Sequence, residues 1–188
     1  MSSAPGQLKL IKSGFVQIDE ASSRLLRVIV FQYNPETLTR RLDTVIVPPP
    51  APPQPARETI AFTVTFDAAD KLEAGDELAQ QEGILPALAA LQVLLNPAPM
   101  TLTVWVSGNK RVVPVHLTGM QFVEQAFDPK LNPIRAEVAV TLQVMSDLEL
   151  ANDPRGRSLL DAYFLTLQQL AQLEYNNGSL AALGLSGI

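Results

Sequence analysis

The chain contains no cysteine, which excludes both a disulfide framework and a thiolate metal site. It contains a single histidine, His116, and a lone imidazole without cysteines builds a zinc site only if carboxylates supply most of the ligands. Charge is also sparse: Asp, Glu, Lys and Arg together make up 18% of the residues, with a net charge of −5. The basic residues are scattered and form no stripe interleaved with aromatics, which argues against a nucleic-acid partner. Long hydrophobic runs are missing too. The most apolar window, Ile84 to Met100, is interrupted by Pro86, Asn96, Pro97 and Pro99, so it is too short and too broken to span a bilayer. Met1 to Gln7 is small and polar, with no basic start and no apolar core of a secretory signal. These absences lead to the expectation of a soluble protein made in the cytoplasm. No cofactor is implied, because no Walker loop, dinucleotide fingerprint, nucleophile elbow or His-Glu-x-x-His helix occurs.

What is present is apolar and β-like. With 188 residues, 47% of them hydrophobic, the chain suits one domain, or one domain with an appendage. Ile60, Phe62, Val64 and Phe66 alternate with Thr59, Ala61, Thr63 and Thr65, the period-2 pattern of a half-buried strand. Ala136, Val138, Val140, Leu142 and Val144 repeat it against Arg135, Glu137, Ala139, Thr141 and Gln143, and Leu102, Val104 and Val106 repeat it against Thr101, Thr103 and Trp105. The predicted core includes Phe62, Val64, Phe66, Val104, Val138, Val140 and Leu142. Leu8 to Ile18 reads as extended with a turn at Ser13-Gly14. Leu25 to Tyr33 is apolar on both faces, which predicts a central strand. Thr37 to Val47 reads as a more exposed strand, and Ser107-Gly108-Asn109 as a hairpin turn.

Six of the fifteen prolines fall in Pro48-Pro49-Pro50-Ala51-Pro52-Pro53-Gln54-Pro55, which fits a polyproline insertion between strands and not a sheet interior. Two helices are expected. One spans about Glu82 to Leu95, with Pro86 tolerated in its first turn. The other spans about Gly156 to Glu174, with Leu159, Leu160, Tyr163, Phe164, Leu167 and Leu170 at helical spacing. The order of elements predicts a mainly β, α+β fold, with residues 1–153 as the β domain and 154–188 as a C-terminal helix and tail.

Nothing here makes a catalytic constellation. His116 falls out of phase with Val113, Val115 and Leu117, which points it away from the core as a surface or interface residue. The carboxylates Asp67, Asp70, Glu73, Asp76 and Glu77 read as a solvated loop before a helix start, where negative charge is favoured.

The segment Phe31-Gln32-Tyr33-Asn34-Pro35-Glu36 is the most specific in the chain. Pro35 fixes its own φ and holds Asn34 extended, so two extended runs meet at a set corner. About a hundred residues later comes Phe127-Asp128 followed by Pro133-Ile134-Arg135-Ala136-Glu137-Val138, with Pro99 to Trp105 between. In this order the segments resemble the tube-like baseplate adaptors of contractile injection systems, over roughly Leu8 to Asp153. The resemblance implies a split β-barrel of two antiparallel sheets with one inserted helix. It also implies a non-enzymatic subunit that forms a homohexameric ring and adapts the inner tube to the baseplate hub or spike of a phage-tail-like particle. Its partners would be further copies of itself and tube, spike and baseplate proteins. The subunit interface would involve Asn34, Pro35, Arg40, Arg41, Pro48, Pro50, Pro53, Thr59, Thr63 and Arg135, with the Thr37 to Phe66 hairpin reaching onto the next subunit. The chain departs from the family pattern in its proline-rich hairpin, in Val144-Met145-Ser146-Asp147, and in having a helix and tail where a LysM module usually follows. In that helix Leu160, Phe164 and Leu167 are candidates for docking on a neighbouring component, although self-packing of the helix is the plainer reading and docking is expected of the Asn176 to Ile188 tail. The alternative is a stand-alone β-barrel that binds a ligand or peptide.

Overall fold

In a computed structural model of the chain, the residues described are 11–44 and 56–175. Seven strands run in the order β1 (Ser13–Asp19), β2 (Leu25–Val30), β3 (Leu38–Asp43), β4 (Arg57–Asp67), β5 (Thr101–Ser107), β6 (Arg111–Phe127) and β7 (Pro133–Val144). Three short helices, α1 (Ala69–Glu73), α2 (Glu77–Glu82) and α3 (Leu85–Gln92), link β4 to β5, and α4 (Pro154–Tyr175) follows β7. The strands form one hydrogen-bonded sheet, β2-β1-β5-β6-β7-β4-β3, in which every pairing is antiparallel. The fold is therefore mainly β, as expected, but in place of two separate sheets there is one continuous sheet.

That sheet curls on itself. β1 and β4 are four strand steps apart, which is about 19 Å in a flat sheet, yet the rings of Phe15 on β1 and Phe62 on β4 lie 6.5 Å apart. The bend comes from β6. Its first residues pair with β5, from Ser107↔Arg111 to Val104↔Pro114, and from Val115 onwards it pairs with β7. Pro114 has no N–H to extend the β5 ladder, and its carbonyl accepts from the Met145 N–H at 3.0 Å. A register slip between Leu117 and Gly119 adds a bulge, and bulges sharpen strand bending. There Thr118 donates from its hydroxyl to the Thr141 carbonyl.

The core lies between the two halves of the curl. All seven residues expected there are buried, because the β4·β7 register sets Phe62 opposite Val140 and Val64 opposite Val138. The alternation expected in β5 fails: Thr103 and Trp105 are buried along with Leu102 and Val104. Trp105 stacks on Phe62 at 5.6 Å between ring centroids, so both faces of β5 are covered. Nor is Ser13-Gly14 a turn. Both residues belong to β1, and a Cβ on Gly14 would lie 2.1 Å from the Ile29 carbonyl oxygen, so only glycine admits β2 at this distance.

The expected Glu82 to Leu95 helix is divided at Gly83, whose φ is +57°. Asp76 caps α2 by accepting from the Ala79 N–H, and α3 begins afresh with Pro86 in its first turn and ends in a 3-10 turn, Val93–Leu95. Helix α4 starts at Asp153, whose carboxylate accepts from the N–H groups of Arg155 and Gly156, the usual way to satisfy a helix start. None of the described helices is long and apolar enough to cross a membrane.

Candidate functional site

The Phe31 to Glu36 corner is a staple. Phe31 donates its N–H to the Ser13 carbonyl, and its buried ring packs edge-on to Phe15 at 5.4 Å and against Phe62 at 5.8 Å. A side-chain amide presents the same donor and acceptor as a peptide group, and the corner uses two of them in place of strand pairing. The Asn34 Oδ1 accepts from the Ser13 N–H at 2.8 Å while its Nδ2 donates to the Ile11 carbonyl at 2.8 Å. The Gln32 Nε2 donates to the Asp67 carbonyl at 2.7 Å while its Oε1 accepts from the Asp67 N–H at 3.0 Å. One amide thus holds the start of β1 and the other holds the end of β4, and Lys12 adds a bond to the Gln32 carbonyl.

The corner separates two edges. β2 and β3 close the sheet at its two ends, and no other described strand pairs with their outer sides. Six antiparallel steps lie between them, so they run in the same direction. β2 is an edge and not the central strand its sequence suggests. Leu25, Leu26, Val28 and Val30 are 42–57% exposed, and Arg27, the one charge within the strand, reaches back to the Gln17 Oε1. β3 is polar by comparison, with Arg41 paired to Asp43 at 3.0 Å.

The expected interface residues do not share one surface. Asn34, Thr63 and Arg135 line one polar cleft of about 660 Å³ with Tyr33, Thr65 and Glu137, and Pro35 lies beside it in a second hollow that also includes Asn34. Arg41 is exposed on the β3 edge, and Thr59 is half-buried on β4. Arg40 is engaged inward. Pro48, Pro50 and Pro53 lie outside the described residues, as does the Asn176 to Ile188 tail.

Arg40 belongs to a closed network that binds α4 to the sheet. Its Nε donates to the Glu58 Oε1 at 2.5 Å and its Nη2 to the Tyr163 hydroxyl at 2.9 Å, while that hydroxyl donates to the Glu58 carboxylate at 3.0 Å. Glu58 and Tyr163 are buried. Burial pushes the Tyr163 hydroxyl up to about 12, and the negative charge of Glu58 adds to the effect. The hydrogen bond to Glu58 raises the Arg40 guanidinium in turn. Of the three docking candidates on α4, Leu160 is buried in its own core, while Phe164 is 37% exposed and Leu167 half-buried. All three line an apolar groove of about 480 Å³ with Leu42, Val144 and Met145. Nothing in the sequence ties Glu58 to Tyr163, or Gln32 to Asp67: the partners are far apart along the chain, and each residue alone reads as an ordinary solvent-facing polar side chain.

His116 is exposed, 3.3 Å from the Glu149 carboxylate. The acidic residues before α2 serve locally, Asp67 bonding the Ala69 N–H and Asp76 capping α2. Among the described residues no group of three metal-ligating side chains is placed to hold an ion. No protein-family model matches the chain, and no curated protein does so either.

Proposed function

We propose that the protein is a non-enzymatic structural subunit of a contractile injection system, forming a hexameric ring that adapts the inner tube of a phage-tail-like particle to its baseplate hub or spike. In this reading the curled sheet is a tube-protein-like split barrel, and the subunit is made in the cytoplasm. Its partners are further copies of the chain and the tube, spike and baseplate proteins. The observation that carries the reading is the pair of co-directional edges with which no other described strand pairs. A sheet edge is a template for another strand, and two edges on one protomer support head-to-tail contacts that close into a ring. Because β2 and β3 run the same way, a ring with the strands along its axis sets β3 of one copy parallel to β2 of the next.

Native mass spectrometry of the purified chain, with electron microscopy of particles from the producing cells, tests the proposal. Six-copy rings are expected in the particle and at high concentration of the free chain. Monomers or dimers at every concentration, with no six-fold layer containing this chain in any particle, would overturn it.

A second reading, a ligand- or peptide-binding domain, draws on one feature: the groove beside α4 falls within the size range of small-ligand pockets. Neighbouring genes discriminate the two, since sheath, tube and spike genes alongside favour the ring.

A further inference from the structure

The two edges of the sheet are not equally protected. Natural edge strands avoid unwanted pairing with charges, prolines or bulges. β3 carries Arg40, Arg41 and Asp43 in six residues, the last two in an ion pair. β2 carries only Arg27, and its guanidinium is held on the Gln17 face of the sheet. Opposite that face Leu26, Val28 and Val30 form an uncharged row, each more than two-fifths exposed. Val28 and Val30 stand across from Val16 and Gly14, small neighbours that cover little of them.

We infer that β2 is a self-pairing edge: two free copies join β2 to β2, antiparallel, about a two-fold axis through Val28. The register follows from the side chains. Residues directly opposite in an antiparallel pair point to the same face. With Val28 facing its own counterpart, Leu26 faces Val30 of the other copy, and six aliphatic side chains meet in one uncharged cluster. The same register sets Arg27 against Ile29 of the other copy, so the two guanidiniums do not oppose each other. A shift by one residue would set aliphatic side chains against the arginine face and lose the cluster. β3 offers no equivalent apolar self-match: the register that sets Leu42 against its counterpart brings Arg41 opposite Asp43 of the other copy, which only exchanges an exposed ion pair within each copy for one between copies.

This goes beyond the ring reading, because it concerns the subunit before assembly. A six-residue strand is about 20 Å long, so the contact falls below the roughly 1,200 Å² of a stable interface. The dimer is therefore weak and reversible. An isologous contact also terminates itself: with β2 occupied, a head-to-tail chain cannot grow. A ring covers both edges of every copy and the dimer covers one, so assembly displaces the dimer.

The absence of cysteine makes the test clean. The Val28→Cys variant should form a covalent dimer under mild oxidation, and Leu42→Cys on β3 should not. Sedimentation velocity should show the unmodified chain passing from monomer to dimer as concentration rises, before any ring appears. The double variant Val28→Lys, Val30→Lys should weaken that dimer by about tenfold or more with its melting temperature unchanged, because both side chains are exposed in the single subunit. Three results would overturn the inference. They are a monomer at every concentration below ring formation, a dimer that survives the lysine variant, or preferential cross-linking of Val28→Cys to Leu42→Cys in a mixture at those same concentrations, which would mean that free copies first join β2 to β3.

Discussion

Replacing Tyr163 with phenylalanine removes one oxygen from a buried, closed network and leaves the ring that packs beside Leu160 in the core. The hydroxyl is both a donor to the Glu58 carboxylate at 3.0 Å and an acceptor from Arg40 at 2.9 Å. Hydrogen bonds to charged groups are worth about 1.5–3 kcal/mol each. Glu58 keeps its contact with Arg40 in the variant, so its charge is not left alone, and the net loss should be about 1.5–3 kcal/mol in total. pH supplies a second signature. The hydroxyl ionises near 10.0 when free and about 12 in the folded protein. A raised folded value means that the stabilisation is complete below pH 10 and declines as the pH rises towards 12. The assay is urea unfolding followed by fluorescence of Trp105, the single tryptophan and fully buried. At pH 7 the variant should unfold at lower urea with an unchanged slope, and the gap between the two proteins should narrow from pH 10 to 12. A loss of less than about 0.5 kcal/mol at pH 7, the size of a neutral surface change, would refute the reasoning. So would a gap that stays constant through the alkaline range.

The remaining expectations concern the corner and the β1·β2 contact. Asn34→Ala should cost about 1–2 kcal/mol, since it deletes two partly solvated amide bonds, measured by thermal or chemical unfolding; Asn34→Asp keeps only the acceptor and should fall between the two. Gly14→Ala drives a methyl into the Ile29 carbonyl and should cost about 2–3 kcal/mol, with hydrogen exchange on β2 rising well before that on β7.

The sequence is a good guide where burial follows a simple period and a poor one where it does not. β4 and β7 were legible because their neighbours cover one face and leave the other half-open, so Phe62 and Val138 alternate with Thr63 and Glu137. β2 reads as a central strand because an apolar strand at an unprotected edge has the same composition as a strand at the centre of a sheet; only pairing tells them apart. Trp105 reads as the outer side of its strand because the pattern of β5 cannot show that a second layer lies over it. The helix after β7 was legible from its spacing, but its attachment was not. Glu58 and Tyr163 lie 105 positions apart, and neither carries a local sign of the other. The Asn-Pro corner reads as a fixed bend from its residues, while the work of its two amides depends on backbone groups that carry no residue signature.

The division of β6 between two partners has a mechanical side. Its ladder with β7 runs from Val115 to Phe127, whereas its ladder with β5 ends after Ser107↔Arg111 to Val104↔Pro114, one of those residues being a proline without a donor. A load pulling the two halves of the curl apart meets a long seam and a short one in series. The short one yields first, with β1, β2 and β5 leaving as a unit and β3, β4 and β7 keeping their pairing. A subunit built this way has a defined point of give between Pro114 and Gly119, so strain imposed on one half need not reach the register of the other.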